Sequence, residues 1–577
     1  MSREYRNKRN LFLLLTALPA VVVCYVIFRY GVDMPFADEW EIAPFFTKKA
    51  QGRLSFSELF ALVNEYRQFF PNLIFVHLGW LTGWDVRFEM LLSFLLACLV
   101  SHNIYRLGRR TLEPQGKLHL WAFLLSNLII FSLVQYENWL MGQQAIYFIP
   151  IACVTTCLLV SQADMGVWKR LIICAALSTV STFSSANGIL CWVVTLPVLL
   201  RLESLKAFAK FKWQAAIWSV GFALCAALYF YDFRRPSTLP PTSESLFKPW
   251  LSVAYFLSLL GSPLTGYSRY LSPVAALAGL ALVVVFVRAW VAYLKSAPDS
   301  GLRRRMLCWL MLGSYSAATA ALITYGRAGF GLYQALNSRY TTFSLYLVVA
   351  LIYLAAIGRA GSGKQRSEVL PLASRRASVA IVILLGLHLM ATLNSVRLMS
   401  EFRTRILQSK ACLLFVELVG SKCRAQVIPD FSLLRARALA LDELGFLRPA
   451  LVKSRRVRDF AGSVEPRPAS GSFERLQREG DSYVASGMAA LPERSEPADA
   501  VLLTYEDGAG QDVLFALAEM DYKGNILKRL LNEQAPFFWQ HAFPLEAIPA
   551  EAAELSAWAF DADSGRAFKL EGVHSLR

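Results

Sequence analysis

The sequence predicts a mainly α-helical, polytopic membrane protein with an extracytoplasmic domain of helices and a small β-sandwich at its C-terminal end. Three observations predict it. Hydrophobic residues make up 55% of the 577 and mean hydropathy is +0.41, more apolar surface than a soluble core can bury. The apolar residues gather in runs of span length, with basic clusters on alternate loops between them. The runs stop near residue 400, where charges of both signs take over.

A span needs roughly 20 apolar residues to cross a hydrocarbon core about 30 Å thick. The first run, 11–28, has no small-residue cleavage site before Arg29 and reads as an anchor, not a signal peptide. Further runs follow at 86–107, 119–133, 143–160, 168–182, 187–200, 213–231, 271–294, 306–324, 341–357 and 377–393. That makes about eleven spans on the length criterion. Two apolar segments, 69–81 and 249–260, are too short to cross comfortably and read as re-entrant or interfacial helices.

The net charge of +17 follows from topology. Arg3/Arg6/Lys8/Arg9, Arg106/Arg109/Arg110, Lys206/Lys210/Lys212, Arg303/Arg304/Arg305 and Arg375/Arg376 mark alternate loops as cytoplasmic, not as a nucleic-acid surface. The alternation works only if the two short segments do not cross. "ADEW", "QYENW", "SSANG", the loops 231–248 and 325–340, and everything after 393 then share the outer side. The expected organisation is a membrane unit over 1–395, a helical connector over 396–462 and an all-β domain over 463–577, in a multi-pass protein of the bacterial inner membrane.

In the tail, 402–420 and 433–444 show helical spacing, 463–472 is rich in Pro, Gly and Ser, and short runs bounded by turn residues follow. Most cysteines fall in spans, where they act as small hydrophobes. Cys412 and Cys423 do not, and an oxidising compartment would let them pair.

Several motifs fail on their chemistry. "GRAGSGKQ", 358–365, has the phosphate-loop spacing but Gln365 where Ser or Thr must hold magnesium, and it leaves a span instead of a strand. The six histidines are scattered without metal-ligand spacing. No G-x-S-x-G elbow supports a serine hydrolase.

The acidic loop "MPFADEWEIAPFF", 34–46, carries more. Asp38 as N-cap with Glu41 at N3 would explain two of its acids as a helix start, but Pro44 weakens that helix and Glu39 is left without a role. Carboxylates beside hydrocarbon are costly unless used. The other outer loops hold Glu65 and Arg67 in "NEYR", Glu137 in "QYENW", and Arg327, Arg339 and Tyr340 in "YGRAGFGLYQALNSRY". A lone arginine at a span end snorkels; acids and arginines gathered on one face suit an anionic lipid headgroup.

With these features the chain resembles the polytopic GT-C glycosyltransferases, which include the aminoarabinose and protein mannosyltransferases. The resemblance rests on the acidic pair Asp38-Glu39 after the first span, a short helical segment near 69–81 before the second, and the extracytoplasmic tail. Within that group "ADEW", "NEYRQFFPNLI", "QYENW" and "NSRYTTF" look like a bacterial subgroup. The tail matches no catalytic accessory domain. The resemblance implies an inverting transfer from a polyprenyl-phosphate sugar to an acceptor hydroxyl of a lipid, glycan or protein. Such a donor leaves as a stable phosphate, so one carboxylate suffices where glycosidases need two. Asp38 is the expected general base. Glu39 would orient the acceptor or help Asp38 bind a divalent cation, Mg or Mn. Arg327 and Arg339 would neutralise the departing phosphate, with Glu41, Glu65, Arg67, Glu137 and Tyr340 completing the substrate site. The competing readings are an oligosaccharide ligase or polymerase, in which late-loop arginines matter more than Asp38, a transporter, and a non-catalytic scaffold. A transporter is expected to show midplane charges and internal repeats, which the sequence lacks.

Overall fold

A computed structural model describes residues 3–112, 117–201, 211–237, 239–241, 247–268, 270–297, 300–360, 375–418, 431–463, 470–492, 494, 496–520, 537–549 and 552–576. The phosphate-loop-like stretch from 361 onward and Cys423 lie outside these residues. The chain divides into two compact units: 1–31, 54–78 and 87–400 form the first, and 32–53, 79–86 and 401–577 the second.

The first unit is helical because its residues are apolar around the whole helix circumference, the signature of a lipid-immersed or deeply buried helix. Among the described residues eight helical stretches are long and apolar enough to cross a membrane: Arg87–Thr111, Leu118–Leu140, Gly142–Ser161, Lys212–Phe230, Ser272–Lys295, Gly301–Phe330, Ser338–Ala360 and Val382–Leu414. The expected runs 11–28, 168–182 and 187–200 are also helical. The first belongs to helix Arg3–Tyr30, the second is the 16-residue helix Val167–Thr182, and the third is the shorter apolar stretch Ala186–Leu199. The two segments read as too short to cross are helices of 14 and 17 residues, α1 (Phe69–Thr82) and α2 (Pro249–Thr265).

Helix α2 shows how such helices associate without a hydrophobic driving force. A Cβ on Gly261 would lie 1.9 Å from Ala275 O, and one on Gly279, in α3 (Ser272–Lys295), 1.9 Å from Leu257 O. The two backbones touch through small residues on both sides. Hydroxyls and amides supply the remaining adhesion. Ser344 donates to Leu259 O at 2.7 Å, Ser316 to Phe343 O at 2.6 Å, and Asn187 to the Tyr315 hydroxyl at 2.7 Å.

The long helix Arg375–Leu414 carries 40 residues. It outruns the expected end at 393 because no Pro or Gly follows Gly386 within it. In the second unit its last turns, with Ala411, Leu414 and Phe415, cover one face of a sheet, packing on Leu502, Trp558 and Phe560. That sheet runs in the order β1-β9-β8-β5-β6, where β1 is Ala461–Ser463, β5 Ala500–Glu506, β6 Asp512–Ala518, β8 Glu554–Asp561 and β9 Arg566–Lys569. Its other face shares a core with a sheet of four strands, through Phe473, Ala485, Val501, Trp539, Phe543 and Ala557. The result is the expected sandwich with a helix added as a third layer. Strand β8, central and covered on both faces, is buried over seven of its eight residues, so its sequence "ELSAWAFD" lacks the polar alternation of a half-exposed strand.

Cys412 is disulfide-bonded. The eight other described cysteines are free.

Candidate functional site

In the second unit the loop after the first helix forms a short 3₁₀ turn, Ala37–Glu41. Its cap is not the one the sequence suggests. The N-cap position falls on Phe36, and Glu39, three residues on, reaches back so that its Oε2 accepts the Phe36 N–H at 2.7 Å. The turn starts early because Ala37 takes φ +52°, a conformation that an alanine does not advertise. Trp40, fully buried, donates its indole N–H to Pro35 O at 2.8 Å and packs edge-on to Trp84.

The three acids therefore have three fates. Glu39 is 1% exposed and occupied with the turn. Glu41 receives both arms of Arg437, at 3.0 and 3.1 Å, while the same guanidinium donates to Trp40 O at 3.0 Å. Arg437, in the helix Phe431–Glu443, was not foreseen; its partner lies 396 residues away in sequence. Asp38 is exposed, and among the described residues it makes no hydrogen bond or ion pair. A divalent cation would find Asp38 here but not a second open carboxylate, because the buried Glu39 is spent on the Phe36 amide. Among the described residues no three His, Cys, Asp or Glu side chains gather as a metal-binding group.

In the first unit "NEYR" forms a tight turn. Val63 and Tyr66 exchange backbone hydrogen bonds at 2.9 Å, with Asn64 at φ +53°. This throws Glu65 and Tyr66 toward Arg327. The Arg327 guanidinium is ion-paired with Glu65 and lies 3.4 Å from the Tyr66 hydroxyl. Its side chain is 13% exposed, so it does not snorkel to water. Burial, foremost, then Tyr147 and Glu65, raises the Tyr66 phenol well above its ordinary range, keeping it a proton donor. Tyr340 is buried and adds to the same field.

Arg67, expected at the substrate, is used otherwise. Its guanidinium donates to three backbone carbonyls: Tyr229 O at 2.9 Å, Phe60 O at 3.0 Å, and Tyr231 O. Two of these end the helix Lys212–Phe230, where orphan carbonyls and the helix dipole attract a cation. With 5% exposure and its fork filled, Arg67 is a clamp.

The second cluster joins "QYENW" to the start of helix α4 (Ser338–Ala360). Ser338 donates to Glu137 Oε2, and Arg339 Nε lies 3.9 Å from the same oxygen. Asn138 donates to Arg339 O at 2.9 Å and to the Thr342 hydroxyl at 2.5 Å, which donates to Gln135 Oε1 at 2.5 Å. This network fixes the backbone that carries Arg339, whose side chain is 31% exposed. Ser338, Asn138 and Thr342 were missed as site residues, although they lie inside quoted segments, because a hydroxyl or amide in an apolar run gives no charge signal.

These features define an integral membrane protein of many helices with a β-sandwich unit. No family model matches the chain, and no curated protein does. Similar solved structures include the crystal structure of ArnT from Cupriavidus metallidurans bound to undecaprenyl phosphate, at 16% identity over 75% of this chain and 75% of that one, with a TM-score of 0.36. The apo state of the same enzyme matches at 14% identity over 61% of this chain and 78% of that one, with a TM-score of 0.31. At those TM-scores the likeness carries no argument, and the functional reading rests on the residues.

Proposed function

We propose that the chain is an inverting glycosyltransferase that takes a sugar from a polyprenyl-phosphate carrier to an acceptor hydroxyl, on the outer face of the bacterial inner membrane. The observation that carries this reading is the state of Asp38. Of three neighbouring acids it alone makes no hydrogen bond or ion pair among the described residues, and it stands exposed on a turn that Glu39, Trp40 and Arg437 hold. A general base needs an open carboxylate on a fixed support.

In the proposed step the acceptor O–H gives its proton to Asp38 as its oxygen attacks the anomeric carbon. The bond from that carbon to the phosphate oxygen breaks, and its electron pair leaves on the phosphate. Arginine suits the growing charge: Arg339 offers a partly exposed fork, and Arg327 a charge tempered by Glu65. Glu137 lies 3.9 Å from the Arg339 Nε.

Asp38→Asn keeps the shape and removes the proton acceptor, so turnover of a synthetic lipid-phosphate sugar should fall by about 100-fold or more. Protein level and donor binding should stay near wild type. Full activity in Asp38→Asn would remove the base assignment.

A further inference from the structure

Beside the Arg327–Glu65 pair, within the first unit, lies a cleft of about 460 Å³ lined by Leu62, Asn64, Asp232, Arg234, Arg235 and Pro236. The function derived above uses none of these residues. We propose that this cleft binds a phosphate monoester group carried by the glycosyl acceptor.

Its position, charge and geometry argue for this. Asn64 adjoins Glu65 in the chain, and Arg235 donates to Gly326 O at 3.4 Å, one residue from Arg327. Two of the contacts that build the cleft are thus one residue removed in the chain from the members of the ion pair. It holds two guanidinium groups and one carboxylate, so it keeps a net positive charge, whereas Arg327 and Glu65 cancel. Arg235 is anchored by Pro240 O at 2.6 Å and Gly326 O, and its Nε is buried without a hydrogen-bond partner among the described residues. Arg234 stands at the rim, 82% exposed, and among the described residues is held only by Asp232 through two contacts of 3.2 Å. One anchored and one swinging guanidinium suit a phosphate, whose oxygens accept parallel N–H donors. Asn64 at φ +53° and Asp232 at φ +47° shape the walls, a left-handed conformation that these two residue types tolerate.

The proposal rests on the glycosyltransferase reading only in naming the ligand's owner. Its test reads binding, so a failure of turnover and a failure of this site are separable. The full chain in phosphatidylcholine nanodiscs is treated with phenylglyoxal, and modification of Arg234 is followed by peptide mass spectrometry. Glycerol 3-phosphate should slow that modification by about tenfold, since bidentate binding shields the guanidinium, while chloride at equal ionic strength should not. Arg235→Gln should abolish the protection. Asp232→Asn, an exposed change that preserves folding, should strengthen it by removing the competing carboxylate. Equal protection by chloride, or unchanged protection in both variants, would overturn the site. Protection that appears only with phosphatidylglycerol in the nanodisc, and never with the soluble monoester, would make it a contact for membrane headgroups and overturn the acceptor assignment.

Discussion

Asn187 in the membrane unit and Asp499 in the sandwich unit are both buried polar side chains, satisfied in opposite ways. Asn187 meets the neutral hydroxyl of Tyr315, and Asn103, Asn127, Asn138 and Thr342 likewise find hydroxyls, amides or carbonyls. Asp499 sits in an ionised network. Its Oδ2 accepts the Ala562 N–H at 2.8 Å, with Asp561, Arg494 and Asp563 around it. Asp563 in turn pairs with Arg403, Lys410 and Arg494 at 3.2 to 3.4 Å. Burial pushes the Asp563 carboxyl up, but those three cations outweigh it and hold it below the usual range. The difference follows from the surroundings. Next to lipid an ion is expensive and a neutral hydrogen bond is not, whereas a water-facing unit can afford charge. The Glu65–Arg327 and Glu137–Arg339 pairs depart from the membrane unit's habit, which is why they are the candidates for chemistry.

The sharpest test of that contrast is Arg339. If the pair serves a departing phosphate, Arg339→Ala should cost on the order of 2–4 kcal/mol of transition-state stabilisation, and Arg339→Lys less but measurably. Wild-type turnover of a lipid-phosphate sugar by Arg339→Lys would return the pair to a structural role. Arg67 should behave the other way. Arg67→Ala strands three carbonyls and should lower the unfolding free energy of the membrane unit by about 3 kcal/mol, read as thermal stability in detergent. An effect on rate with no loss of stability would contradict the clamp.

The ionised network predicts a pH dependence that the neutral one lacks. Burial pushes the Asp499 carboxyl up to about 7, whereas unfolded it ionises near about 4. Between these values the folded state holds the proton and the unfolded state has lost it. Stability of the sandwich should therefore fall as pH rises through that window, by about 1.4 kcal/mol per pH unit at most, and level off above it. Hydrogen exchange of 500–506, corrected for intrinsic rates, measures this, and Asp499→Asn should flatten the slope. The smallest effect belongs to Glu39. Glu39→Ala loses the turn's hydrogen bond, about 1 kcal/mol, and Glu39→Gln keeps an acceptor for Phe36, so turnover should survive where Asp38→Asn abolishes it.

Helices and strands were legible because their signals are local: apolar length for the spans, a short run bounded by turn residues for strand Ser482–Leu491, cysteines outside the spans for Cys412. The failures share a cause too. The turn that spends Glu39 depends on Ala37 at positive φ, which nothing in "FADEW" announces. The clamp on Arg67 depends on carbonyls 162 and 164 residues away, and carbonyls have no sequence signature. Arg437 was invisible for the same reason of distance. Charge in the loops between apolar runs told where to look for a site, and only the three-dimensional partners told which charges were already taken.

The turn at Ala37–Glu41 has a consequence for reading other chains. An Asp-Glu pair in this position has a direction. The second acid must reach back three residues, which a glutamate does and an aspartate, one methylene shorter, does not. Reversing the pair would conserve charge and composition, yet it would free the wrong carboxylate and loosen the turn beneath it. A pattern that accepts either acid at both places would therefore group proteins whose loops do different things.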